Sequence, residues 1–332
     1  MAVQATGDDM KKALVVGIDH YPHVGHLHGC VADATAVSKV LRWHMDGTKN
    51  FEVKTMAAAD AASQVNRKRL RENVESLFGG DEEIVLFYFA GHGYIDNAGG
   101  YLLASDSLDG HDGLSLDEVL DFANASNARN KVLLFDSCFS GAAGAPVSVG
   151  KKALLSEGIT IMTASGRDQT AEEENGAGIF TSLLIDAFEG GAASLLGDIT
   201  PGSIYAHIDI SLGFWSQRPV FKTNVKQFVS LRRVEPAIGI LDLKNIVELF
   251  KAPRDLFPLD PSYEPHPALP DPDCPPIPEH VRKFELLQKM NRLNLVVPVG
   301  ADHMYYAAMN SKACCLTVLG RHYWNLIKND RI

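Results

Sequence analysis

The stretch Asn130–Gly141, NKVLLFDSCFSG, decides the fold. Val132, Leu133, Leu134 and Phe135 form a short, uninterrupted apolar run, the pattern of a strand buried on both faces. Asp136-Ser137-Cys138-Phe139-Ser140-Gly141 then breaks it with a turn of small and polar residues. In an open α/β sheet, residues just past the carboxyl ends of the strands are where ligands bind. Cys138 stands there. A free cysteine is often only a small buried hydrophobe, so this stretch alone leaves its role open.

A second stretch upstream has the same construction. Glu83–Gly93 reads EIVLFYFAGHG, an apolar strand followed by a small-residue turn that carries His92. Two neighbouring parallel strands of this kind would bring His92 and Cys138 to one rim of the sheet. That pairing supplies a nucleophile and a general base able to raise its thiolate fraction near neutral pH.

The blocks AGHG and DSCFSG resemble the histidine and cysteine blocks of the caspase-like cysteine peptidases. They are most similar to those of the metacaspases and bacterial caspase homologues, whose cysteine block typically reads DSCHSG. Phe139 replaces the usual histidine and Ala90 a frequent serine, both outside the dyad. A third block, GCVADA, resembles the metacaspase GCxNDA and places Asp33 where that family lines its primary specificity pocket; Ala32 replaces the usual asparagine. The resemblance runs from about Lys12 to Val225. It implies an α/β fold: a mainly parallel six-stranded sheet with helices on both faces.

It also implies roles. Cys138 would be the nucleophile and His92 the general base, then acid. The backbone N–H groups of Gly93 and Cys138 would form the oxyanion hole. Asp33 and Asp136 would make the primary pocket acidic, so cleavage is expected after Arg or Lys rather than Asp. No side chain stands out to orient His92, a task a backbone carbonyl often performs in this family. Lys151-Lys152, in the segment where relatives are processed, would be the self-cleavage site of a zymogen. Calcium, used by many metacaspases, is a candidate cofactor, with Asp106 the one residue to suggest for it. Bacterial caspase homologues often serve defence or cell-death pathways. The alternatives are a silent caspase-like docking protein, or acyl transfer by the same dyad.

Working outward, the alternation of strands and helices supports a mainly parallel sheet. Lys12–Asp19 is the first strand, Val31–Met45 and Asn66–Phe78 are amphipathic helices, Gly158–Ala164 is a buried strand and Pro219–Thr223 the last one. Between the first strand and helix lie His20, His23, His26, His28 and Cys30; their irregular spacing across a Gly- and Pro-containing loop fits no metal pattern, so no metal is assigned. The cluster Arg67, Lys68, Arg69, Arg71 carries i, i+4 acidic partners and reads as a solvated helix face.

The chain has 332 residues, 46% of them hydrophobic, and a formal charge of −10. That length allows a sizeable core, and that charge argues against nucleic acid or an anionic membrane as partner. Five cysteines without regular spacing read as reduced thiols, and no apolar run is long enough to span a bilayer. A cytoplasmic location is the expectation. The caspase-like domain is assigned to 1–232. Ten of the sixteen prolines fall between Ala252 and His280, so 233–280 is expected to be an extended linker. Helical periodicity returns in 281–332, expected to be a small helical, winged-helix-like module that docks protein, including an upstream activator.

Overall fold

In the computed structural model, residues 10–95, 99–137, 139–141, 155–164, 173–174, 177–212, 219–267 and 273–332 are described. Cys138, Lys151 and Lys152 lie outside them. The chain divides into two compact units, Met1–Glu235 and Pro236–Ile332.

The first unit is built on six strands: β1 (Lys11–Ile18), β2 (Glu52–Ala58), β3 (Ile84–Ala90), β4 (Asn130–Asp136), β5 (Ile159–Thr163) and β6 (Val220–Asn224). Their order is β6-β5-β4-β3-β1-β2. Every pairing is parallel except that of β6 with β5. This is the expected mainly parallel sheet.

Strand alternation sends successive side chains to opposite faces, and the core divides accordingly. Leu14, Val16, Phe87, Phe89, Leu133 and Phe135 face one side, where Leu70, Val74 and Leu77 of α2 (Arg67–Phe78) and Val119, Leu120 and Ala123 of α3 (Leu116–Ala125) cover them. Ala13, Val15, Leu86, Tyr88, Val132 and Leu134 face the other. There α1 (Cys30–Arg42) contributes Ala34, Val37 and Leu41, α4 (Ile179–Asp186) contributes Leu184, and α5 (Pro201–Ser211) contributes Ile204 and Ile208. With both faces covered, the strands need apolar residues at every position, which is why they read as runs.

The second unit corrects the linker expectation. Leu256–Pro258 is a strand, β7, and Pro261–Tyr263 a 3-10 turn. With β8 (Val296–Val299) and β9 (Ala313–Leu316) it forms an antiparallel sheet in the order β7-β9-β8. Pro258 of that stretch sits on an outer strand, where a missing N–H costs no central ladder bond, and Pro261 and Pro278 open helical turns, where the N–H would be unpaired in any case. The expected helices are present beside this sheet. α6 (Pro278–Arg292) buries Phe284, Leu287 and Met290. α7 (Val318–Lys328) buries Trp324, whose indole N–H donates to the Phe250 carbonyl at 2.7 Å. Among the described residues no helix is long and apolar enough to cross a membrane.

Candidate functional site

Strands β3 and β4 end in register, Ala90 opposite Asp136. Parallel pairing resumes three residues on, with Gly93 opposite Phe139. The turn after β3 carries His92, half-exposed at the rim. Its Nε2 lies 2.9 Å from the carbonyl oxygen of Gly25. A backbone carbonyl therefore orients the ring, as expected, and the hydrogen bond fixes the tautomer: Nε2 carries the proton and Nδ1 is left as the basic nitrogen. Burial holds the His92 pKa below its ordinary 6.5, with the Gly25 carbonyl acting in the opposite sense.

Tyr21 braces this turn from the other side. Its ring centroid is 4.7 Å from that of His92, and it is only 1% exposed. The His92 N–H donates to Tyr21 Oη at 3.0 Å, and Oη donates to the Leu103 carbonyl at 3.2 Å. Leu103 N–H in turn donates to the His92 carbonyl at 2.9 Å. A Cβ on Gly91 would stand 2.4 Å from Tyr21 Oη, so this turn closes only with glycine there. Tyr21 N–H donates to Nδ1 of His26 at 3.2 Å, which gives one member of the histidine-rich loop a structural task. Among the described residues no three His, Cys, Asp or Glu side chains converge as metal ligands would.

A few residues away, two helix N-termini meet a group of carboxylates. α1 begins after Gly29 and α4 after Gly178, and neither glycine can cap with a side chain. For α1 the cap comes from the end of β1: Asp19 accepts from the N–H groups of Cys30 at 2.9 Å and Val31 at 3.4 Å. Asp33, 6% exposed, lies in the first turn of that helix, where the dipole favours an anion. Its Oδ2 accepts from the N–H of Gly178 at 3.4 Å. Asp136 accepts on Oδ2 from Thr181 Oγ1 at 2.5 Å.

Both carboxylates border one point. A Cβ built on Gly178 would lie 3.0 Å from Asp136 Oδ2 and 3.6 Å from Asp33 Oδ2. Asp33 and Asp136, distant in sequence, are thus brought together. Burial pushes the Asp136 carboxyl up to about 6, and the Thr181 hydroxyl and backbone pull it back. The half-buried Cys30 thiol is pushed far above its ordinary range, first by burial and then by the surrounding Asp19, Asp136 and Asp33. Cys30 is therefore an inert thiol at neutral pH.

Asp106 accepts from the Arg67 N–H at 2.8 Å at the start of α2. Tyr21, Gly25, Asp19 and Thr181 are the members that sequence reasoning missed. Two helix starts led by glycine, without a Ser, Thr, Asp or Asn at the cap, were the available sign that caps come from outside.

Comparison with known proteins adds the following. The family model for the caspase domain matches residues 10–229. Among solved structures, the chain is similar to the crystal structure of caspase-1 from Spodoptera frugiperda, at 13% identity over 70% of this chain and 96% of that chain, with a TM-score of 0.51. At that identity the likeness is one of fold. No curated protein matches the chain.

Proposed function

Since the chain belongs to the caspase domain family, a family of cysteine peptidases, we propose that it is an endopeptidase that cuts proteins after Arg or Lys, with Cys138 as nucleophile and His92 as base. The observation that carries this reading is the register of β3 and β4. Ladder pairs Ala90–Asp136 and Gly93–Phe139 flank the turn that carries His92, which supports pairing His92 with Cys138. Nδ1 of His92, left unprotonated by the Gly25 contact, is the nitrogen suited to take the thiol proton. The same imidazolium then protonates the leaving amine. By resemblance, the backbone N–H groups of Gly93 and Cys138 hold the oxyanion.

The convergence of Asp33 and Asp136 beside Gly178 supports the specificity. Two carboxylates in a partly desolvated pocket attract a guanidinium or ammonium and repel an acidic side chain by roughly several kcal/mol. In this reading the enzyme is a zymogen that self-cleaves after Lys151 or Lys152 and serves a bacterial defence or cell-death type pathway. Residues 281–332 receive an activating protein. The test uses purified chain and Cys138→Ala against fluorogenic peptides that differ only in the cleaved residue, Arg, Lys or Asp, with and without calcium. Turnover after Arg or Lys that vanishes in the variant is expected, with an intact-mass cut at Lys151–Lys152 in the active protein. Faster turnover after Asp would discard the pocket assignment, and an uncut yet active chain would discard self-cleavage.

A further inference from the structure

We propose that Thr181 is the positioning residue that sets the preference for a cationic side chain, by holding Asp136 in its bound-state orientation through a buried chain of hydroxyls. This rests on the reading of Asp33 and Asp136 as the substrate pocket.

Thr181 is 1% exposed on the first turn of α4, and Tyr88 of β3 is fully buried beside it. Tyr88 Oη and Thr181 Oγ1 are 2.6 Å apart, and Thr181 Oγ1 is 2.5 Å from Asp136 Oδ2. The single Thr181 hydroxyl hydrogen goes to the carboxylate, so the Tyr88 hydroxyl must be the donor in the first contact. The chain therefore runs one way: Tyr88 to Thr181 to Asp136. Each donor polarises the next. Its end point is Oδ2, the oxygen of Asp136 nearer the Gly178 point, and the Thr181 backbone adds a second bond to the same carboxylate.

The groups facing Asp136 explain why a donor is required. Tyr88 lies on β3, and Cys30 and Asp33 lie on α1, with Asp19 beside Cys30. All are neutral or negative, so among the described residues no protein cation holds Asp136 ionised. Burial favours its protonated form, and a protonated carboxyl neither attracts a guanidinium nor accepts from it on both oxygens. The Thr181 hydroxyl is the neutral donor that tilts this balance while leaving the pocket's charge for the substrate.

The experiment compares the full chain with Thr181→Val, which keeps the β-branched shape but loses the hydroxyl, and Thr181→Ser, which restores it. KM and kcat for an Arg peptide are measured across pH 5.5–8.5. In parallel, benzamidine binding to the same variants on a Cys138→Ala background is followed by calorimetry. Thr181→Val is expected to raise KM and weaken benzamidine roughly 10–100-fold at pH 7, with kcat within about twofold. The loss should shrink toward pH 8.5, and Thr181→Ser should recover most of it. Unchanged KM and benzamidine affinity in Thr181→Val would overturn the role of Thr181. So would a pH-independent loss in kcat and KM together that Ser does not rescue, since that is a fold effect. If the chain with Thr181 intact neither binds benzamidine nor cuts after Arg or Lys, the pocket assignment itself falls, and this inference with it.

Discussion

His92 and Asp136 stand at the ends of adjacent strands, and burial acts on both, yet the protein treats the two results differently. Burial removes charge from either group. For His92 the outcome serves the chemistry: a ring held below pKa 6.5 is a neutral base at physiological pH, and a carbonyl and a phenol suffice to aim it. For Asp136 the same effect works against the role, since a carboxyl near 6 is close to losing the charge a pocket for cations needs. That side of the rim therefore carries donors: the Gly178 N–H on Asp33, and the Thr181 hydroxyl on Asp136. The same kind of effect is left to stand at one position and is countered by donors at the other.

The contrast can be broken first at its acidic end. Asp136→Asn keeps the shape and removes the charge, so kcat/KM for Arg and Lys peptides should drop by hundreds- to thousands-fold, the scale on which a desolvated ion pair loses a partner. Preservation of activity would mean that Asp33 alone sets the pocket. In the parent, KM for such peptides should rise as pH falls through about 6, where Asp136 takes up its proton. A smaller effect is expected at the basic end. Tyr21→Phe keeps the ring beside His92 but strands the His92 N–H and the Leu103 carbonyl, about 1–3 kcal/mol of unmet hydrogen bonding. A kcat loss of roughly tenfold with KM nearly unchanged is anticipated, and a change in KM alone would contradict the bracing role.

The smallest effect is on stability and has the opposite sign to the loss of activity. A carboxyl that holds its proton to about 6 when folded, but only to about 3.8 when unfolded, is bound more tightly by protons in the native state. Its burial thus costs stability fully above pH 6, and the cost disappears below 3.8. Asp136→Asn should melt a few degrees higher at pH 7–8, with the gain fading toward pH 4. A variant that melts lower at every pH would show that the carboxylate's contacts outweigh its desolvation.

Much of this rim could be read from the chain because it is written in side chains at strand ends. The runs IVLFYFA and KVLLFD could only be strands covered on both faces, and His92 and Asp136 follow directly from where those runs stop. Asp33 was readable through its block, GCVADA. What escaped notice was carried by backbone atoms and by partners remote in sequence. The Gly25 carbonyl has no residue-type signature, and Tyr21 was hidden among four histidines. Thr181 lies 45 positions from the carboxylate it serves, and as a polar residue on the buried face of its helix it is not marked by apolar periodicity. In the second unit, proline density suggested an extended spacer because the count does not reveal which prolines lie on outer strands. Pro258 does, and Pro261 and Pro278 open helical turns.

One feature of the pocket bears on how such a protein can diversify. α4 begins at Gly178 without a cap of its own, and the group that meets its first turn is the carboxylate of Asp136. In the proposed pocket, selectivity and helix initiation therefore share the same two carboxylates, Asp136 at the first turn and Asp33 at the Gly178 N–H, so a substitution at either is judged twice by selection, once on substrates and once on folding.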